Sequence, residues 1–243
     1  MLDKLIVLKK KILLKKEKMP RHLSLTIGGN IIWSEKHNIP LEEAYKKVFI
    51  RIEEFLSLQV NLNIPVMTVF LLSEELRDSE NFTIFKELLI KFFNRIKDSK
   101  VIHNNMVKVS ILGKWYDLPY RLIEPIKNTI DITKDYDNFF LNLCINYDGQ
   151  EEITDAAKLI ARKVKAEKLD PDSITKETIK DNLYSSYFIP ADVIIVTGRR
   201  KFTAGLLLWD SSRTIIYFSE KVFPEFTSVD FLSGIEYYQK SVK

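Results

Sequence analysis

Short apolar runs and amphipathic stretches alternate along this chain from Pro20 to Gln239. Leu23–Ile27, Val66–Leu72, Met106–Leu112, Phe139–Ile145, Asp192–Val196 and Thr214–Phe218 are short, mostly apolar runs, and Asp192–Val196 is rich in β-branched residues. That composition at that length suits strands covered on both faces. Between them, Leu41–Leu58 carries Ala44, Val48, Ile52 and Phe55 at helical spacings, and Glu151–Glu167 carries Ile153, Ala157, Ile160 and Val164 along one side. Ser79–Lys97, Leu122–Ile132 and Ser173–Tyr184 also predict helices, and Val229–Lys240 a last one with Thr227 or Ser228 as its cap. Gly28-Gly29-Asn30 turns the chain after the first run, and Gly113 closes the third. Strands separated by helical crossovers predict an α/β fold, a six-stranded mainly parallel sheet flanked by helices.

The segment Ala191–Phe226 repeats this pattern in miniature. Pro190 ends what precedes it, Asp192–Val196 reads as a strand, and Thr197-Gly198 breaks the run ahead of Arg199, Arg200 and Lys201. Thr203–Ser212 is long enough for a three-turn helix before the strand Thr214–Phe218. In a βαβ unit the ligand end is the turn after the first strand, here Thr197–Lys201. Its three cations read either as an exposed basic turn or as an anion site.

Residues 2–17 predict a helix with Leu5, Leu8, Ile12 and Leu13 near one face and lysines elsewhere. Lysines cut every apolar run short, so the segment is neither a signal peptide nor a membrane span. Residues 1–18 hold seven lysines against Asp3 and Glu17, a net of +5; taken from the chain's +4, this leaves −1 for the other 225 residues. Two readings stay open: a helix docked on the fold by its apolar side, or one lying on anionic lipid. Nucleic-acid phosphate is disfavoured, because no aromatic stacking pattern accompanies the lysines.

The 243 residues, 46% hydrophobic, suit one large-core domain over 1–243. One cysteine, Cys144 in an apolar run, fits a reducing, cytoplasmic setting, with a peripheral membrane association open through the basic helix. Three scattered histidines (His22, His37, His103) and that cysteine offer no closed metal site.

Four ordered blocks carry a resemblance. Pro20-Arg21-His22, Gly29-Asn30 and Trp33 match an opening P-x-H-x-x-x-x-M-D-G-N-x-R-W. Leu141–Asn146 with Tyr147, Gly149 and Ile153 matches L-x-x-x-x-N-Y-G-G-R-x-E-I, with Asp148 and Gln150 as departures. Asp192, Ile195, Thr197, Gly198, Leu207, Leu208, Trp209, Tyr217, Phe218, Pro224 and Phe226 fit a C-terminal signature without a gap, and Asp230-Phe231 with Tyr238-Gln239 fit a closing helix. In these blocks the chain resembles the cis-prenyltransferases, the undecaprenyl and dehydrodolichyl diphosphate synthases. The resemblance implies a dimeric fold with an elongated apolar tunnel. It also implies condensation of isopentenyl diphosphate onto an allylic diphosphate.

The residues that handle diphosphate in that family are replaced here. The family's Mg²⁺-binding aspartate falls at Gly28, and the arginine before Trp33 at Ile32. The next arginine and histidine fall at Leu41 and Tyr45. Val196 and Phe202 stand at the two arginines of the C-terminal signature, Ala204 at its serine and Ile215 at its glutamate. An S-x-E-N motif is reduced to Leu72-Ser73-Glu74-Glu75, and Asp78 stands at a further arginine. Each hydrogen bond to a charged group is worth about 1.5–3 kcal/mol. Losing four or five arginines therefore removes on the order of 6–15 kcal/mol of diphosphate recognition. Gly29, Asn30, Arg199, Arg200 and Lys201 are what remain as candidate phosphate contacts.

By this resemblance the chain is expected to be a degenerate member without catalytic residues or metal ligands of its own. It would act as the non-catalytic subunit of a polyprenyl (dolichyl- or undecaprenyl-type) diphosphate synthase serving glycosyl carrier lipid synthesis. A catalytic homologue would hold the Mg²⁺, as a heterodimer, or the chain would pair with itself. The R-x-G tail of eukaryotic non-catalytic subunits is not found at Tyr238–Lys243. An active synthase with an atypical site and a stand-alone isoprenoid-binding protein are the alternatives.

Overall fold

The computed structural model describes residues 2–199 and 201–243, with side chains from Leu5 onward. Helix α1 (Leu2–Leu14) leads into β1 (His22–Thr26), α2 (Asn30–His37), α3 (Leu41–Asn61) and β2 (Val66–Ser73). Then come α4 (Glu74–Arg77), α5 (Phe82–Ile96), α6 (Lys100–Asn104), β3 (Val107–Leu112), α7 (Tyr120–Thr133) and β4 (Phe139–Tyr147). The rest is α8 (Gly149–Lys165), α9 (Lys176–Lys180), β5 (Val193–Val196), β6 (Ile215–Phe218) and α10 (Ser228–Ser241). The strands form one sheet in the order β3-β4-β2-β1-β5-β6, and every pairing is parallel.

Register explains why the strand runs are apolar throughout. Leu25 pairs with Val69 and Ile195, and Val69 with Leu143. These face the larger core beneath α3, α5, α7 and α10, with Phe55, Phe92 and Phe231 wholly buried in it. The alternate residues Phe70, Cys144, Ile194 and Val196 face a second core completed by Phe188, Leu206 and Leu207. With both faces covered, the central strands β1 and β5 are buried throughout, while the edge strands β3 and β6 are partly exposed. Burial pushes the Cys144 thiol well up.

Several elements depart from their predicted extents. Thr203–Ser212 is not a helix: the segment runs in turns and ends in a 3-10 turn at Asp210–Arg213. Ala204 and Leu207 have φ of 55° and 48°, left-handed values an α-helix cannot contain. Ser173–Tyr184 shortens to α9, set by a capping box between Thr175 and Thr178. The helix expected from Ser79 starts at Phe82; α4 precedes it, capped by Ser73 Oγ accepting from Leu76 N at 3.2 Å. Helices α2 and α6 were not predicted. The Thr227 cap holds, its backbone N–H and hydroxyl both donating to Asp230.

Helix α1 docks, but by the face opposite the predicted one. Val7 and Leu14 pack inward, and Lys10 Nζ donates to Ser233 Oγ at 3.0 Å and Glu236 Oε2 at 2.8 Å on α10. Gln239 Nε2 donates to the Leu14 carbonyl at 2.9 Å. Leu5, Leu8, Ile12 and Leu13 are each more than half exposed.

Candidate active site

The chain leaves β1 in one direction along the sheet, to β2, and returns on the other side at β5, so the order of strands reverses beside β1. The carboxyl ends at such a reversal leave a crevice. There the β1 and β5 ends are interlocked. Thr197 N donates to Thr26 Oγ1 at 3.1 Å, and Thr197 Oγ1 donates to the Thr26 carbonyl at 2.7 Å. Thr197 Oγ1 in turn accepts from Gly28 N at 3.0 Å. The Gly28 carbonyl accepts from Phe223 N at 2.9 Å, so the turn after β1 is tied on both sides. Gly29, at φ 86°, is the left-handed residue that caps α2, a conformation that favours glycine.

Above this turn lies a cavity of about 1070 Å³. Gly28, Gly29, Asn30 and Ile32 line it together with Tyr45, Phe70, Phe202, Ala204 and Leu208. Its charged lining, among the described residues, is Glu74, Glu75 and Asp148. No arginine or lysine lines it among those residues. Asp148 is the N-cap of α8, accepting from Gln150 N at 2.8 Å and Glu151 N at 3.0 Å. Asn30 Nδ2 donates to the Ile27 carbonyl at 2.7 Å, while its Oδ1 is buried with no protein partner. Beyond Tyr45 the seam between α3 and α5 is filled by rings, Tyr45 against Phe85 at 5.0 Å and Phe49 against Phe92 at 5.0 Å.

The sequence-predicted positions divide. Gly28, Gly29, Asn30, Ile32, Tyr45, Phe202 and Ala204 meet at the cavity. Leu41 packs with Trp33 and Ala44, Val196 is buried in the second core, and Ile215 sits against the larger one. Arg199, exposed at φ 64°, does not line the cavity, nor does Lys201, which pairs with Glu220 over the Phe218 ring. Arg200 lies outside the described residues. The described part of the basic turn therefore adds no cation to the crevice.

Two clusters near the site escaped the sequence reading. Arg77 forks onto Asp78 at 2.7 and 2.9 Å and donates to Asn146 Oδ1 at 2.8 Å; Asn146 Nδ2 then reaches the Lys114 carbonyl at 2.9 Å. Its hydrogen bond to Arg77 holds the Asp78 carboxyl below its usual range. Asn146 is left-handed at φ 50°, a conformation asparagine tolerates; its place in the N-Y-x-G block was the available signal. The second cluster joins Tyr147, Glu152 and Ser185. The Tyr147 hydroxyl donates to Glu152 Oε2 at 2.6 Å and accepts from Leu207 N at 3.1 Å, and Ser185 N donates to Glu152 Oε1 at 2.9 Å. Burial raises the Glu152 carboxyl and pushes the Tyr147 phenol well up.

A family model described as "Putative undecaprenyl diphosphate synthase" matches residues 27–243. The chain is 34% identical over 229 residues to the tritrans,polycis-undecaprenyl-diphosphate synthase (geranylgeranyl-diphosphate specific) of Thermoplasma volcanium, covering 93% of this chain and 88% of the relative. It is 30% identical over 230 residues to the isoprenyl transferase of Prochlorococcus marinus subsp. pastoris, covering 93% and 83%. Its fold is similar to that of lavandulyl diphosphate synthase from Lavandula x intermedia, solved in complex with dimethylallyl diphosphate. The TM-score is 0.87 at 22% identity, over 91% of this chain and 95% of that one.

Proposed function

The chain belongs to the cis-prenyltransferase family, and from that premise we propose that it is a non-catalytic subunit, assisting a catalytic homologue that makes a polyprenyl diphosphate. One observation carries this reading. The crevice at the ends of β1 and β5 is lined by three carboxylates and, among the described residues, by no arginine or lysine. A diphosphate entering it would meet like charge where the chemistry needs forked cations. The first turn of α2 offers a few backbone N–H groups and a partial positive charge, worth about 0.3–1 kcal/mol against an anion. Four or five missing arginines outweigh that by on the order of 5–14 kcal/mol.

The residues present do not fit Mg²⁺ either. At the position where the family places its carboxylate there is Gly28, and a side chain there would collide with Thr197. Among the described residues no group of three His, Cys, Asp or Glu side chains converges on a point a metal could occupy. In this reading Mg²⁺ and both diphosphates are handled by the partner, and this chain contributes its packed fold to the assembly.

A second reading, an active synthase with an atypical site, is favoured by the names of the relatives, which are synthases and transferases. One assay separates the two. The purified chain is incubated with Mg²⁺, isopentenyl diphosphate and a farnesyl or geranylgeranyl diphosphate primer, alone and with the catalytic homologue of the same organism. The proposal expects no product from the chain alone and a complex with altered rate or product length in the mixture. Polyprenyl product from the chain alone, or a homologue that neither binds it nor changes in its presence, overturns the proposal.

A further inference from the structure

Helix α1 presents a face that nothing in the described fold covers. Leu5, Leu8, Lys9, Ile12 and Leu13 are exposed and follow one another at i, i+3, i+4, i+7 and i+8, a single stripe. Lys15, Lys16 and Lys18 continue it, all exposed. Glu17, the acid among residues 5–18, is paired with Lys243 at 2.9 Å. The opposite face is fixed by Val7, Leu14, the Lys10 bonds to α10 and the Gln239 bond to the Leu14 carbonyl. Thirteen residues give a rod about 20 Å long, held in one orientation.

We infer that this face is a docking surface for an anionic lipid bilayer. The choice between a membrane and a protein partner rests on where the lysines stand. Lys9 interrupts the apolar stripe and Lys15, Lys16 and Lys18 follow at its C-terminal end, and lysine is depleted at the core of protein interfaces. On a membrane the same arrangement is favourable: the leucines enter the acyl boundary, the lysine stems lie along them, and the ammonium groups reach the phosphates. The body of the chain is nearly neutral, so the attraction is confined to this end. Among the described residues no helix is long and apolar enough to cross a membrane, so the association is a surface one. It does not depend on whether the crevice is catalytic.

Flotation of the full chain with vesicles tests this, using phosphatidylcholine alone and an equal mixture with phosphatidylglycerol. Binding is expected to the mixed vesicles only and to fall as salt rises. The triple change Lys9→Gln, Lys15→Gln, Lys16→Gln, confined to exposed side chains, is expected to weaken it on the order of 100-fold. The triple change Leu5→Ser, Leu8→Ser, Ile12→Ser is expected to abolish it while circular dichroism remains unchanged. Absence of binding to the mixed vesicles overturns the inference, as does equal binding to both vesicle types. Self-association that the serine variant removes, without vesicle binding, overturns it in favour of a protein partner.

Discussion

The carbonyl oxygen of Thr197 occupies the space that a side chain at Gly28 would need: a β-carbon there would lie 2.5 Å away. Gly198, at φ 88°, presses from the same turn, 3.3 Å from that β-carbon. The two chain turns at the ends of β1 and β5 thus touch backbone to backbone. A side chain at position 28 has no room while these turns stay in place.

Gly28→Asp is therefore expected to fail in two ways. It should produce no prenyltransferase activity, because Ile32, Val196 and Phe202 leave the diphosphates without cations. It should also destabilise the fold by about 1–3 kcal/mol, the usual penalty for forcing extra atoms into a packed place. Denaturant unfolding of this variant and of Gly28→Ala measures the second effect, and the alanine variant should show most of it. A wild-type midpoint for Gly28→Asp would mean that the turn opens freely.

Tyr147 ties the N-Y-x-G block to the irregular segment after β5. Its hydroxyl holds Leu207 N, in a left-handed residue, and one oxygen of the buried Glu152. Tyr147→Phe leaves that N–H and that carboxylate oxygen without a partner. The expected loss is about 1–3 kcal/mol in denaturant unfolding. Glu152→Gln should behave differently with pH. Burial raises the Glu152 carboxyl above 4.5, so its protonated form favours the folded state. That contribution is complete below the unfolded value and is lost as pH rises through the folded one. The glutamine variant should lack this slope; an unchanged slope would place its origin elsewhere.

These residues also show what the sequence could and could not convey. The six strands and their burial on both faces follow from short apolar runs, because a buried parallel strand must be largely apolar on each side; their lateral order β3-β4-β2-β1-β5-β6 is set by tertiary pairing that no run records. The Gly28, Ile32, Tyr45, Phe202 and Ala204 cluster was legible through the block spacing alone. The segment Thr203–Ser212 was misread as helix because its composition permits one. What forbids it is tertiary: Leu207 is held left-handed by Tyr147, sixty residues earlier in the chain. Of the two readings open for helix α1, docking by its apolar side fails for a related reason. Its richer apolar side faces outward, and the docking face is set by Lys10 and Gln239 bonds that no periodicity records.

Lys180 and Asp210 form a pair under the same segment. Lys180 Nζ donates to Asp210 Oδ2 at 2.5 Å and to the Ser185 carbonyl at 2.9 Å, and the Asp210 side chain is almost wholly buried. Lys180→Met would strand a buried carboxylate, with an expected cost of about 3–5 kcal/mol. The double change Lys180→Met, Asp210→Leu should recover most of it, since no charge is then left unpaired. Thermal and denaturant unfolding of the three proteins give the coupling directly. Additive losses would mean that the two groups do not act as a pair.

His22 gives the clearest dependence on acid. The ring is buried at the start of β1, with Nδ1–H donating to the Ile189 carbonyl at 2.6 Å and Nε2 accepting from Thr68 Oγ1 at 2.8 Å. Thr68 Oγ1 in turn accepts from Asn142 Nδ2 at 3.2 Å, so the bonds fix the neutral ring in one tautomer. Burial lowers its pKa from 6.5 to about 4, against the opposing pull of the Ile189 bond and the nearby Asp210 and Asp192. The unfolded chain then binds the proton more readily than the folded one between those values. Stability from this group is fully present above 6.5 and is lost as pH falls towards 4, by roughly 3 kcal/mol in all. Urea midpoints at pH 7 and pH 4.5 should show the fall in the wild type. In His22→Asn that part of the fall should be missing, whatever the variant's absolute stability. Equal slopes in the two proteins would show that His22 is not what makes the fold sensitive to acid.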